Sequence, residues 1–219
     1  RSQIINLVSS KMKQLELSFQ DALSTMIFAD GTGNGSKDID GLAKLVSITP
    51  TASGTVGGFD QASYSWWQNY QDTATYASAA YDSLIADIGK AYNTVSKRKD
   101  HPDFAVTTQT VYQGLEGLLV KTINYNSDAI GSGLRDATLG FENIKYRGMI
   151  ITFDDDCTAS QMWILNTKYL KLNVDRETDF ITLPTQRPIN QDASVTPILW
   201  YGNMTVSNRK RQGVLSGIT

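Results

Sequence analysis

Residues Phe28–Gly41 read FADGTGNGSKDIDG, a glycine-rich run holding one lysine, and the fold class turns on what that run does. A phosphate-cradling loop needs a strand before it, a helix after it and the order G-x-x-x-x-G-K-S/T. Here Ser36 stands where the second glycine belongs, and Asp38 where the magnesium-binding hydroxyl belongs. The dinucleotide fingerprint fails as well, because Gly31 and Gly33 are followed by Ser36 and not by a third glycine. What remains is a helix stop at Asp30-Gly31, with Gly33, Asn34 and Gly35 as positive-φ turn positions. No nucleotide is expected at this loop.

The helix that the turn closes is long. Ile4, Val8, Met12, Leu15, Phe19, Ala22 and Met26 step by four or three along one stripe, and no proline or glycine interrupts residues 1–29. At 1.5 Å per residue the helix spans roughly 40 Å, more than a compact domain of this size needs. Leu7, Leu17, Leu23 and Ile27 widen the stripe, so more than one side of this strut must be covered. The strand expected at Ile198–Val206 is the candidate to lie against it.

Downstream, residues 47–63 form a Gly/Ser/Thr-rich connector with a double glycine at Gly57-Gly58, followed by an aromatic group, Trp66, Trp67 and Tyr70. Residues 81–95 carry Leu84, Ile85, Ile88, Ala91, Tyr92 and Val95 at helical spacing, and Lys97, Arg98 and Lys99 follow as a solvated end. His101-Pro102-Asp103 breaks the chain, 104–106 reads as a short strand, 107–120 as a helix and 121–147 as a long loop. Strands are expected at 149–153, 162–172 and 198–206. A long helix, an α/β middle and a β-rich end make an α+β protein.

Composition excludes several classes. Hydrophobic residues are 41% and charged ones 19% of the 219, so a packed core is expected and disorder is not. Twenty Lys and Arg against 22 Asp and Glu leave no overall cationic excess for a protein whose main task is gripping nucleic acid. One cysteine, Cys157, rules out an internal disulfide and a multi-cysteine zinc site. No apolar run is long enough to span a bilayer, and the chain reads as soluble. The N-x-S/T matches at Asn34 and Asn203 carry little meaning in so Asn-rich a sequence.

Three clusters could carry chemistry. Asp154-Asp155-Asp156 could bind a hard cation, but it has neither calcium-loop spacing nor an acidic partner cluster, and a solvated turn is the simpler reading. His101 with Cys157 or a serine could form a nucleophilic site, yet no nucleophile-elbow signature is present. Arg209, Lys210 and Arg211 could face DNA or a neighbouring subunit, or form a wet strand end. No catalytic, cofactor-binding or metal residue is expected.

Read in order, FADGTGNGSKDIDGLAKLV, GTVGGFD ahead of WWQN, PDFAVTTQTVYQGLEGLL, GFENIKYRGMIITFDDDC, ILNTKYLKL and WYGNMTVSNRKRQGVLSG resemble the major capsid proteins of tailed bacteriophages. The resemblance covers essentially the whole chain. It implies the Hong Kong 97 type fold, with a long spine helix, a peripheral domain and an axial domain. On that basis 1–69 holds the spine helix and part of the peripheral domain, 70–165 most of the axial domain, and 166–219 the strands that return to the peripheral domain. It further implies a non-enzymatic structural protein of a phage or prophage. Copies of the chain would form pentamers and hexamers of an icosahedral shell, self-assembled in the bacterial cytoplasm and enclosing DNA through weak, non-specific contact. Portal and scaffolding proteins are the other implied partners, and the virion capsid the location.

Family members carry an N-terminal arm and an extended loop upstream of the spine helix. The sequence begins at the helix itself with Arg1, so a cleaved or partial chain is expected. Two readings stay open beside the capsid one. One is an encapsulin-like nanocompartment shell of the same fold, and the other a metal-dependent enzyme using Asp154–Asp156.

Overall fold

The computed structural model describes residues 2–76, 81–127, 144–190 and 194–218. Its first element, α1 (Ser2–Phe28), is the uninterrupted helix that the stripe requires. The stripe is only partly covered: Phe19, Ala22 and Met26 are half-buried, whereas Met12, Leu15 and the flanking Leu17 are exposed, and Phe28 beyond the stripe is buried. Phe19 is therefore not a core residue. It meets Phe180 and Trp200 edge-on, with ring centroids 4.9 and 6.0 Å away.

The centre of the molecule is a six-stranded mixed sheet in the order β3-β12-β7-β4-β6-β5. Its strands are β3 (Tyr70–Tyr76), β4 (Phe104–Thr107), β5 (Ile144–Tyr146), β6 (Met149–Phe153), β7 (Gln161–Leu165) and β12 (Gly213–Ile218). Alternation sends neighbouring residues of one strand to opposite faces. Met162 and Ile164 of β7, Leu215 of β12 and Ala105 of β4 share one cluster with Leu84, Ile88 and Ala91 of helix α4 (Tyr81–Val95) and with Val111 and Leu115 of helix α5 (Gln109–Ser127). Trp163 and Leu165, Val214 and Val106 face the other way, onto Phe28 and the short helix α3 (Leu42–Leu45). Burial on both faces is why QMWIL and GVLSGI read as continuous apolar runs and not as alternating ones.

A connector and a ribbon complete the chain. The 47–63 connector holds a small hairpin, β1 (Thr55–Val56) and β2 (Phe59–Asp60). Strand β8 (Leu170–Val174) pairs antiparallel with β11 (Gly202–Val206), and β9 (Ile181–Thr182) with β10 (Ile198–Leu199), making a narrow ribbon away from the large sheet.

Several boundaries differ from the sequence reading, each for a physical reason. The expected 162–172 strand is cut at Asn166. The Asn166 amide donates to Asp100 Oδ1 (3.1 Å) and His101 O (3.0 Å), while its backbone N–H and C=O pair with the Gln212 side chain at 2.9 and 3.0 Å. The backbone is taken by a side chain and cannot continue the ladder. The 198–206 strand is likewise split, at Trp200-Tyr201. The 121–147 loop is helix up to Ser127 and strand from Ile144, and residues 128–143 lie outside the described part. Strand β12, a central strand of the sheet, is not among the strands expected from the sequence.

Candidate interaction surfaces

The glycine-rich loop is a clasp at the end of α1. A Cβ on Gly41 would stand 2.3 Å from Ala29 O and 2.4 Å from Met26 O, so only glycine lets the chain pass under the helix's last carbonyls. Gly31 has φ 77, and the single turn α2 (Gly33–Ser36) holds Asn34, Gly35 and Ser36 at φ 48, 68 and 65. The turn thus uses Ser36 where the sequence pointed to Gly33. Asp30 accepts from Thr32 through N–H (3.0 Å) and Oγ1 (2.7 Å), bonds that hold its carboxyl below the usual carboxylate range. Farther along, the Asp40 N–H donates to Asn203 Oδ1 (2.8 Å), tying the loop to β11.

Lys37 borders an open groove of about 780 Å³ whose walls include Asp38, Asp175, Trp200 and Tyr201. The loop follows a helix, and two carboxylates flank the lysine, so the field there opposes a phosphate. The feature that looked like a nucleotide site is a joint between α1 and the ribbon.

Asp154–Asp156 form the turn between β6 and β7. Asp154 Oδ1 accepts the Asp156 N–H (2.9 Å), and Asp156 Oδ1 accepts from Thr25 Oγ1 of α1 (3.2 Å). Among the described residues no group of three or more His, Cys, Asp or Glu stands together as a metal site. Cys157, next in the chain, is buried among Phe28, Trp163 and Leu165. Burial, with a lesser push from Asp154, raises its thiol to about 12, so at neutral pH it is protonated and a poor nucleophile. His101 sits elsewhere, stacked on the Tyr92 ring with 5.7 Å between centroids and 8° between planes. Nothing joins the two into a catalytic pair.

The three-cation stretch Arg209–Arg211 is a 3-10 turn whose members have separate fates. Arg209 is fully buried: Nε donates to Leu45 O (2.7 Å), and Nη2 to Gln61 Oε1 and Asn69 Oδ1 (both 3.0 Å). Its side chain is used inside the fold, where it pins the 45–69 connector to the last strand. Desolvation lowers its guanidinium to about 10, and Nη1 has no hydrogen-bond partner. Arg211 is half-buried, with Nη1 donating to Val95 O at the end of α4 (2.7 Å). Lys210 is exposed, beside the same helix end: it lines a small depression with Thr94.

What the sequence reading did not isolate is the apolar surface left uncovered. Leu172, Val174, Phe180, Ile181, Ile189 and Tyr201 are exposed on the ribbon, Tyr201 to 75%. Leu17 on α1 is 63% exposed. Phe59, Tyr64 and Trp66 add an exposed aromatic group, with ring centroids 5.3 to 5.8 Å apart, over the buried Trp67, whose Nε1 donates to Val56 O (2.9 Å). Large exposed apolar patches mark contact with other macromolecules. Among the described residues no helix is long and apolar enough to cross a membrane.

No family model and no curated protein matches the sequence. The structure does match a solved one, a chain of the cyanophage A-1(L) capsid asymmetric unit, at 15% sequence identity and a TM-score of 0.67. The match covers 94% of this chain and 70% of that one. At this identity it is the architecture that is shared: mixed helix and sheet over nearly the whole chain. The chain thus has a phage capsid-like fold.

Proposed function

We propose that the chain is the coat subunit of a tailed bacteriophage or prophage, a non-enzymatic building block of an icosahedral shell that encloses DNA. The observation carrying this reading is the coincidence of a capsid-like fold over 94% of the chain with apolar side chains left exposed on α1 and the ribbon. In this reading α1 is the spine helix of a Hong Kong 97 type subunit. The segment 70–165 supplies most of an axial domain, 1–69 and the ribbon a peripheral domain, and β12 the strand that links the chain's end to the axial sheet. Copies of the chain meet in pentamers and hexamers, covering the exposed apolar residues. Many modest contacts then add through multivalency. Portal and scaffolding proteins are the further partners, the bacterial cytoplasm the place of assembly and the virion the destination.

The test is expression of the natural gene product in bacteria, with electron microscopy and nucleic-acid analysis of purified particles. Uniform closed shells containing nucleic acid are expected. Shells loaded with a cargo protein would transfer the chain to a nanocompartment role. A product that stays at or below a dimer at high concentration would overturn the coat reading.

A further inference from the structure

We infer that the surface around the C-terminal end of α4 is a contact site for the phosphate backbone of double-stranded DNA. The choice of ligand rests on the coat-subunit reading. The residues themselves are brought together by the fold, not by the sequence. Lys97, Arg98 and Lys99 lie exposed just beyond the helix. Arg147 reaches the same place from the turn between β5 and β6: its Cζ lies 5.9 Å from the Tyr92 ring centroid, and its Nη1 donates to Asn93 Oδ1 at 2.9 Å. Arg211 bonds the carbonyl of Val95, and Lys168 Nζ approaches Asp100 Oδ1 to 3.9 Å.

Against these cations stand Asp100 and Asp103, both already engaged. Asp100 accepts from Tyr169 and Asn166, and Asp103 from the N–H and hydroxyl of Thr167. The surplus is local, because the whole chain has 20 Lys and Arg against 22 Asp and Glu.

The backbone supplies an independent argument. Lys97 and Asp100 bridge across a two-residue turn whose first residue, Arg98, has φ 60, and Arg147 holds the matching position before Gly148 with φ 49. Left-handed positions in such turns favour Gly, Asn and Asp, and a long side chain there is conformationally costly. Two turns far apart in sequence each carry an arginine at that position. Tyr92 meets Arg147 with one part of its surface and with another stacks on His101, the residue that follows the Arg98 turn. Arg147 is held locally, by Asn93 Oδ1 and by the Tyr92 and Tyr146 rings, which fixes its guanidinium at the end of α4, while Arg98 stays exposed there for a repeating polyanion. Such a ligand is met by cations set on fixed turns without base readout.

The experiment is fluorescence anisotropy with a short labelled DNA duplex over a salt series, on the parent chain and on the Arg98→Asn/Arg147→Asn double variant. Asparagine suits both turns but gives up the Arg147 bond to Asn93 and its contacts with the Tyr92 and Tyr146 rings, so the variant should melt within a few degrees of the parent. Its affinity for the duplex should fall about tenfold, and the plot of log K against log salt should become shallower by roughly 2, about one unit for each phosphate that an arginine no longer neutralises. Equal binding by parent and variant would overturn the inference. So would parent binding to polyglutamate as tight as to DNA, which would assign the patch to an acidic protein. Electron microscopy of the natural gene product reports separately on the coat reading: shells that form normally, from a chain that binds no duplex before it assembles, would sink this inference alone.

Discussion

The central sheet and the ribbon place their apolar residues in opposite ways. In β7 and β12, Met162, Trp163, Ile164, Val214 and Leu215 have no exposed surface, because helices cover one face and the connector with the end of α1 covers the other. In the ribbon, β8 and β9 leave Leu172, Val174 and Ile181 in solvent. Both regions are built of strands, continuously apolar in QMWIL of β7 and alternating apolar with polar in LKLNV of β8. The sheet is complete within one chain, whereas the ribbon and the outer part of α1 have an apolar side that no other described part of the chain covers.

The comparison can be broken by substitutions, and the sheet should show the largest effect. Trp163→Ala removes a side chain with no exposed surface and should cost about 3–5 kcal/mol in denaturant unfolding. A loss below about 1 kcal/mol would mean the sheet is not the stabilising unit. Arg209→Ala comes next. It leaves the carbonyl of Leu45 and the side chains of Gln61 and Asn69 without their donor, and should cost about 3 kcal/mol by the same measurement. Phe19→Asp touches the junction of the two regions. With a half-buried ring held by Phe180 and Trp200, it should cost about 1–2 kcal/mol, less than a core position would.

Leu172→Ser lies in the ribbon, where Leu172 is half exposed, and should change unfolding free energy by no more than about 0.5 kcal/mol while weakening association of copies. The smallest effect concerns pH. The Asp100 carboxyl is held below its ordinary value, first by the hydroxyl of Tyr169 and then by Asn166 and nearby cations. Its contribution is therefore present above the unfolded carboxylate value and is lost as pH falls through the lower folded one. Melting curves of Asp100→Asn should fall less steeply than the parent's below about pH 4. Parallel curves would show that the hydrogen bonds to Tyr169 and Asn166 do not persist in solution.

What could be read from sequence followed the range of the interactions. Helix α4 and strand β6 stand at the boundaries their patterns predict, because Leu84, Ile88 and Ala91 keep helical spacing and Met149–Phe153 is a short β-rich run between turns. The exclusion of a phosphate site also needed only local order around Ser36 and Asp38. Asn166 and Arg209 were different, since their partners lie 46 to 66 and 140 to 164 residues away and leave no periodic trace. Strand β12 was hidden by two glycines and by pairing with β3 and β7 from distant parts of the chain. For the surfaces, Lys97-Arg98-Lys99 was visible as a charge run, but the arrival of Arg147 and Arg211 beside it was not. Nor could the sequence tell that Leu172 and Ile181 would have no cover, since a strand's alternation does not say whether a second layer exists.

On the proposed reading, copies of the same chain cover the apolar residues left exposed on the ribbon and α1. The most direct test is sedimentation velocity with electron microscopy on the natural gene product and its Leu172→Ser/Ile181→Ser variant, alongside their melting temperatures. The account predicts closed particles for the parent, small species for the variant, and melting temperatures of the two unassembled chains within a few degrees of each other. A parent that remains monomeric at every concentration, or a variant that forms particles as readily as the parent, would contradict it.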